Sequence, residues 1–155
     1  MADYAFGSYG SCQDLTTVIL PNSVMNIGVM AFEGCSGLTS VISLNNTPPT
    51  CTHNIYDGYT QFNSVDKLNC IVWVPKGSVN AYKEANGWKD FNNIKEIIIG
   101  DLNLDNEVND EDKNALIDFI MGKNPEGFFK SLADLNGDDK VDAADLVKLI
   151  TIMNP

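Results

Sequence analysis

The 155-residue chain contains no arginine, and its ten basic residues, all lysine, stand against 21 acidic ones, leaving a formal charge of −11. Nucleic acids and anionic membrane surfaces are met by Lys and Arg side chains that neutralise phosphates, so this balance argues against both as partners. Histidine occurs once, as His53, and the four cysteines, Cys12, Cys35, Cys51 and Cys70, include no C-x-x-C pair. A zinc site or a dithiol redox motif is therefore not expected. No stretch approaches the roughly 20 apolar residues of a membrane-spanning helix, and Ile97-Ile98-Ile99 is only strand-sized. No basic-then-apolar leader opens the chain. Met1-Ala2-Asp3 reads as an internal start, with any targeting signal expected outside these residues.

What is present divides into two stretches of different character. Residues 1–99 hold 8 acids and 5 lysines, a net of −3, whereas residues 100–155 hold 13 acids and 5 lysines, a net of −8. So short and acidic a segment either stays disordered or recruits cations. The first stretch is rich in Ser, Thr, Asn, Gly and β-branched residues, and its pattern repeats. At a shift of 23, Tyr9 meets Phe32, Cys12 meets Cys35, Leu15 meets Leu38, Thr16 meets Thr39, Val18 meets Val41 and Ile19 meets Ile42. A period in the twenties predicts a solenoid, in which each repeat buries its apolar side against the next. Ala5-Phe6 also matches Ala31-Phe32, an alternative that needs a three-residue insertion before Cys12. Strands are expected at Leu15–Leu20, Leu38–Leu44, Cys70–Val74 and Ile94–Ile99, each bounded by Pro, Gly or Asn, and a short helix at Ser78–Trp88.

The wording PNSVMNIG (residues 21–28), AFEGCSGLTSV (31–41) and VPKGSVNAYKEANGWKDFNNIKEI (74–97) resembles the BspA-type leucine-rich repeats of bacterial surface proteins over roughly residues 5–99. The resemblance implies a secreted or cell-surface protein whose repeats present an adhesion surface to a host or cell-surface ligand. Only about two clear repeats precede the closing segment, so the stretch is expected to end a longer array, since solenoids need three or more units.

Residues 101–112 read DLNLDNEVNDED and residues 134–145 read DLNGDDKVDAAD, a repeat at a shift of 33. Each places oxygen-bearing side chains at places 1, 3, 5, 9 and 12: Asp101, Asn103, Asp105, Asn109 and Asp112 in the first, Asp134, Asn136, Asp138, Asp142 and Asp145 in the second. Calcium takes six to eight oxygens at about 2.3–2.6 Å, and a 12-residue loop wraps it when alternate side chains turn inward. Place 7 serves through its backbone carbonyl, so Glu107 and Lys140 supply no side chain, and place 9 acts through a water. Two calcium ions are therefore expected. Place 8, Val108 or Val141, is expected to pair the loops across a short β-bridge. Place 6, ordinarily Gly, is Asn106 or Asp139; both residue types tolerate the left-handed region, so weaker sites rather than lost ones are expected. Each loop runs into an apolar-periodic stretch, with Leu116, Phe119 and Ile120 after the first and Leu146, Leu149, Ile150 and Met153 after the second, which predicts two amphipathic helices. Phe128, Phe129 and Leu132 suggest a linking helix that begins after Pro125. Such short helices are marginal alone, so metal binding is expected to be coupled to folding.

Residues 100–155 as a whole resemble a type I dockerin: an opening Gly-Asp, two loop–helix repeats and a linker between them. The resemblance implies a three-helix fold with pseudo-twofold symmetry and a cohesin-like domain as partner. It assigns partner choice to places 10 and 11, here Asp110-Glu111 and Ala143-Ala144, with Lys113 and Lys148 as rim contacts. The fold class that emerges is α+β, a short β-rich leucine-rich-repeat solenoid over residues 1–99 followed by a small all-α calcium-binding domain with paired EF-hand-like loops over residues 100–155.

The remaining candidates read as structural. Cys12 and Cys35 share a repeat place and read as a ladder of buried free cysteines, with a disulfide as the alternative; Cys51 and Cys70 read as free, with pairing in an oxidising setting as the alternative. His53 with Asp57 or Ser64 assembles no nucleophile, base and orienting group. Trp73, Tyr82 and Trp88 read as the filling of the solenoid end rather than a sugar platform. The functional expectation is a non-catalytic, monomeric docking protein. The alternatives are a calcium module that merely caps the solenoid, or an accessory fragment of a larger polysaccharide-degrading protein whose catalytic domain lies elsewhere.

Overall fold

The structure, a computed structural model, describes residues 1–6, 12–52 and 60–154. Tyr9, His53 and Asp57 lie outside the described residues. The chain divides into two compact units, Met1–Glu96 and Ile97–Pro155.

In the first unit, β1 (Thr17–Leu20), β3 (Ser40–Ser43), β5 (Ile71–Val74) and β6 (Asn93–Glu96) form one parallel sheet in the order β1-β3-β5-β6. Two-residue strands β2 (Asn26–Ile27) and β4 (Thr50–Cys51) pair in parallel as a second, separate ladder. The result is a β-solenoid-like arrangement. Val18 faces Val41 and Ile19 faces Ile42 across β1 and β3, which are the partners that the 23-residue repeat predicts. The next step, from Ser40 to Ile71, takes 31 residues, and the last, from Ile71 to Asn93, takes 22. Helix α1 (Val79–Glu84) is shorter than the Ser78–Trp88 expected, because Ala85 is extended and Gly87 turns with φ +85°.

Alternation in the strands sends Val18, Leu20, Val41, Val72, Val74 and Ile94 into one buried core. Ser43 occupies an inward place in β3, and its hydroxyl pairs with the Tyr82 hydroxyl at 2.7 Å, which in turn donates to the Asn45 carbonyl at 3.0 Å. Behind the sheet runs a column of rings. Phe6 stacks on Phe32 with centroids 5.3 Å apart, Phe32 on Phe62 at 5.1 Å, and Phe62 meets Trp88 at 5.3 Å. Phe32 and Phe62, both fully buried, each contribute about 1.5–3 kcal/mol, and offset ring pairs add about 0.5–1.5 kcal/mol. Tyr82 and Trp88 fill this core as expected; Trp73 instead points to the other face of the sheet, where the Lys95 ammonium lies 5.4 Å from its ring.

The Phe6–Phe32 stack resolves the competing alignments. The Phe6 amide donates to the Ala31 carbonyl, so the Ala-Phe match governs residues 5–6 while the 23-residue shift governs Cys12 onward. Gly28 closes the PNSVMNIG stretch because a coil passes against it: a Cβ there would stand 2.5 Å from the Asp3 amide nitrogen. The cysteine ladder needs correction. Cys12 and Cys35 are joined by a disulfide with Cα atoms 4.4 Å apart, because equal places on neighbouring coils come within bridging distance. Cys51 and Cys70 are free.

In the second unit, α2 (Asp110–Ile120) and α3 (Ala143–Met153) pack through Leu102, Leu116, Ala133 and Leu149, all fully buried. Both begin with a capping box, Asn109 with Asp112 and Asp142 with Asp145. Asp110, Glu111 and Asp112 in the first turn of α2 oppose the positive end of the helix dipole. Gly122, at φ +82°, ends α2: its amide reaches the Phe119 carbonyl, and the Lys123 amide reaches that of Asp118. The linking helix expected after Pro125 is a single 3-10 turn, Lys130–Leu132, so the described residues of this unit form two α-helices rather than three. Phe128 stacks on Phe119 at 5.1 Å and Leu132 packs on the core, and these contacts account for the apolar pattern without a longer helix.

Candidate functional site

The two loops that precede α2 and α3 are built by the same hydrogen bonds at a shift of 33 residues. At place 1, Asp101 accepts from the amides of Asp105 at 3.2 Å and Asn106 at 3.0 Å, and Asp134 accepts from those of Asp138 at 3.1 Å and Asp139 at 2.9 Å. At place 3, Asn103 and Asn136 accept from the amides of Asp105 and Asp138 at 3.0 and 2.9 Å. At place 5, Asp105 and Asp138 accept from Glu107 and Lys140 at 2.8 and 3.0 Å. At place 12, Asp112 accepts from Leu102 and Asn109, and Asp145 from Leu135, Asn136 and Asp142. Each carboxylate thus ties the start of its loop to the helix that follows.

Place 6 takes the positive φ expected of it, +75° at Asn106 and +64° at Asp139. The sequence reading missed place 4, where Leu104 also stands at φ +62°. Its signal was in the second loop, which has Gly137 at the same place with φ +82°. The expected β-bridge at place 8 is absent among the described residues; Val108 and Val141 pack on the core of the unit instead.

The donor set suits a hard cation. Asp101, Asp112 and Asp145 are fully buried carboxylates, yet the ion pairs among the described residues are Lys113–Asp110 and Lys123–Asp118, neither of which serves a loop. Burial raises the Asp101 carboxyl above its ordinary value; amide donors from Asn106 and Leu104 offset part of this, and the charges of Asp112 and Asp105 add to it. Asp145 goes the other way: burial pushes it up, but amides of Asp142, Asn136, Leu135 and its own residue more than compensate and lower it. Oxygen at alternate places, with buried carboxylates that no cationic side chain pairs among the described residues, fits calcium better than a neutral turn. Among the described residues no three acidic, His or Cys side chains converge on one point.

The expected partner-binding residues occupy the first turns and outer faces of the helices. Asp110 and Glu111 on α2 and Ala143, Ala144 and Lys148 on α3 are exposed. Lys113 is held in an ion pair by Asp110, three residues before it. The exposed row on α3 is apolar, with Val147 at 65% and Ile150 at 43% exposure beside Lys148. At the matching places α2 carries Asn114 and Ile117, beside Asp118 paired with Lys123. In the first unit, Cys51, Thr60, Gln61, Asn86, Gly87, Lys89 and Asp90 line a cleft of about 270 Å³. Burial pushes the Cys51 thiol up to about 12, so it is no nucleophile there at neutral pH.

The family model of the dockerin type I domain matches residues 99–154. Solved structures also match part of the chain. A CaDoc0917 variant in complex with CaCohA2 is 36% identical over 39% of this chain and 100% of its own, with a TM-score of 0.38. A second CaDoc0917 variant complex is 39% identical over 37% of this chain and 100% of its own, with a TM-score of 0.36. A type I cohesin–dockerin complex from Clostridium thermocellum, Coh-OlpA-Doc918, is 33% identical over 37% of this chain and 90% of its own, with a TM-score of 0.35. No curated protein matches the chain. Residues 99–154 are a type I dockerin domain.

Proposed function

We propose that the chain is a non-catalytic, secreted or surface-attached bacterial protein that docks through its dockerin domain onto a cohesin-type partner in a calcium-dependent way. The observation that carries this is the pair of loops with one hydrogen-bond pattern at a 33-residue shift, inside the segment that matches the dockerin family. Dockerin domains in general bind calcium, and the related solved domains are in complexes, one described as cohesin–dockerin. One ion would be held by Asp101, Asn103, Asp105, Asp112 and the Glu107 carbonyl, with Asn109 acting through water. The other would be held by Asp134, Asn136, Asp138, Asp145 and the Lys140 carbonyl, with Asp142 acting through water. The ion supplies positive charge that offsets the buried carboxylates and fixes each loop against its helix.

The partner meets α3 rather than α2. Asp110 and Asp118 are engaged by Lys113 and Lys123, whereas Val147 and Ile150 lie open beside Lys148, which has no ion-pair partner among the described residues. The first unit serves as a leucine-rich-repeat adhesion surface of the BspA type; its 23-residue parallel register supports this reading. The Cys12–Cys35 disulfide suits an oxidising, extracellular setting. Calorimetry of the full chain tests the reading. Calcium should bind at two sites, and a cohesin domain should bind in calcium but not in chelator. Binding that survives chelation, or no calcium uptake at all, overturns it.

A further inference from the structure

We propose that Asn136–Gly137, places 3 and 4 of the second loop, is a calcium-gated deamidation site. Without the ion the loop converts Asn136 to aspartate or isoaspartate, and with it the residue is protected. The inference rests on the reading above that this loop holds calcium.

The chemistry needs four things, and the second loop has them. The attacking atom is the backbone nitrogen of the residue after the Asn. Gly137 offers it without hindrance, since nothing lies within 4 Å of the place where a Cβ would stand. The attacking N–H must shed its proton, and Gly137 already donates it to the Asp134 carboxylate at 2.8 Å. The target, Cγ of Asn136, is on an exposed side chain. The leaving group is Nδ2, which has no hydrogen-bond partner among the described residues, while Oδ1 accepts from the Asp138 amide at 2.9 Å. The first loop lacks two of these. Its attacking residue is Leu104, with a branched side chain, and the Asn103 amide nitrogen is held by Asp105 Oδ2 at 2.8 Å.

In the reaction the Gly137 N–Cγ bond forms and the Cγ–Nδ2 bond breaks. Nδ2 leaves as ammonia with the proton from Gly137, and a five-membered succinimide remains. Water then opens the ring at either carbonyl. Opening at one gives aspartate, which keeps an oxygen at place 3. Opening at the other gives isoaspartate, which adds a carbon to the backbone and moves place 1 out of step with place 5. When Asn136 Oδ1 and the Asp134 carboxylate serve as calcium ligands, Cγ is fixed and the proton acceptor of Gly137 is withdrawn. The second site therefore ages only while it is empty.

The chain carries its own reference, Asn86–Gly87, which belongs to the first unit and to neither loop. The full-length protein is incubated at neutral pH in calcium and in chelator, and peptides are followed by mass and by the split elution that isoaspartate produces. In chelator the Asn136 peptide should convert ahead of the Asn103 peptide. Calcium at about 100 times its dissociation constant should slow Asn136 by about 100-fold, the ratio of filled to empty loops, and leave Asn86 unchanged. Asn136→Gln, which would need a six-membered ring, should show no conversion there in either condition. Equal or faster conversion of Asn136 in calcium, in protein that calorimetry shows to bind it, overturns the proposal, as does Asn103 converting first. Absence of calcium uptake would instead remove the docking reading on which it rests.

Discussion

Reducing the Cys12–Cys35 bond should weaken the first unit far more than a surface change would. The bridge joins residues 23 apart, and in the chain-entropy treatment closing a loop of that size restrains the unfolded chain by about 3.5 kcal/mol. Set against the roughly 5–15 kcal/mol that holds a domain together, that is a large share. Both tryptophans, Trp73 and Trp88, lie in the first unit, and no cysteine lies in the second, so tryptophan emission reports the effect without interference. In urea, with a slope of about 1–3 kcal/mol per molar, the midpoint should fall by about 1–3 M on reduction or in the Cys12→Ala, Cys35→Ala double variant. Thiol titration supplies the covalent check. Unfolded, unreduced protein should yield the two thiols of Cys51 and Cys70, and reduced protein all four cysteines. Folded protein should react slowly, since burial pushes Cys51 up to about 12 and Cys70 up to about 11. Four reactive thiols without reductant, or an unmoved midpoint on reduction, would refute the reasoning.

Leu104→Gly should stabilise the second unit by about 1 kcal/mol, because a side chain at φ +62° costs about 1–2 kcal/mol, less the packing given up; thermal unfolding followed by helix dichroism in chelator measures it. Tyr82→Phe should cost about 1–2 kcal/mol in urea unfolding, since the Ser43 hydroxyl and the Asn45 carbonyl lose their buried partner. Burial, only partly offset by the Ser43 bond, raises the Tyr82 hydroxyl above its ordinary 10.0. The folded form then holds the proton more tightly than the unfolded, so stability falls as pH rises above 10.0 in the parent and falls less in Tyr82→Phe.

The parts of this fold that were legible in the sequence are those where one physical demand selects one residue type. Apolar side chains at equal places on successive coils gave the Val18–Val41 and Ile19–Ile42 partners directly, because a parallel register repeats the coil length. Oxygen at alternate places gave the loops, and the turn at place 6 gave positive φ at Asn106 and Asp139. Where several solutions satisfy the same pattern, the reading fell short. Stacked cysteines bury equally well free or bridged, and only the 4.4 Å Cα separation decides for the bridge. The apolar residues Phe128, Phe129 and Leu132 suited a helix, but Phe128 and Leu132 reach the core partly buried, with only a 3-10 turn at Lys130–Leu132. The two-residue strands β2 and β4 are too short to leave a periodic trace, and the 31-residue step to β5 breaks the repeat between two coils that still align.

The order of strands in the sheet sets how the first unit would yield to a pull. β6 is the last strand before the second unit and lies at the sheet edge, with β5 as its one strand neighbour among the described residues. Tension applied through a docked dockerin domain enters the sheet there, so β6 should detach first, with the inner strands giving way after it. At the far side of the sheet, the covalent bridge removes the span from Cys12 to Cys35, a sequence separation of 23, from the extensible length, about 80 Å of contour at the reach of a stretched chain. In an oxidising medium the pulled protein would therefore lengthen by a fixed shortfall, and a reductant would restore it.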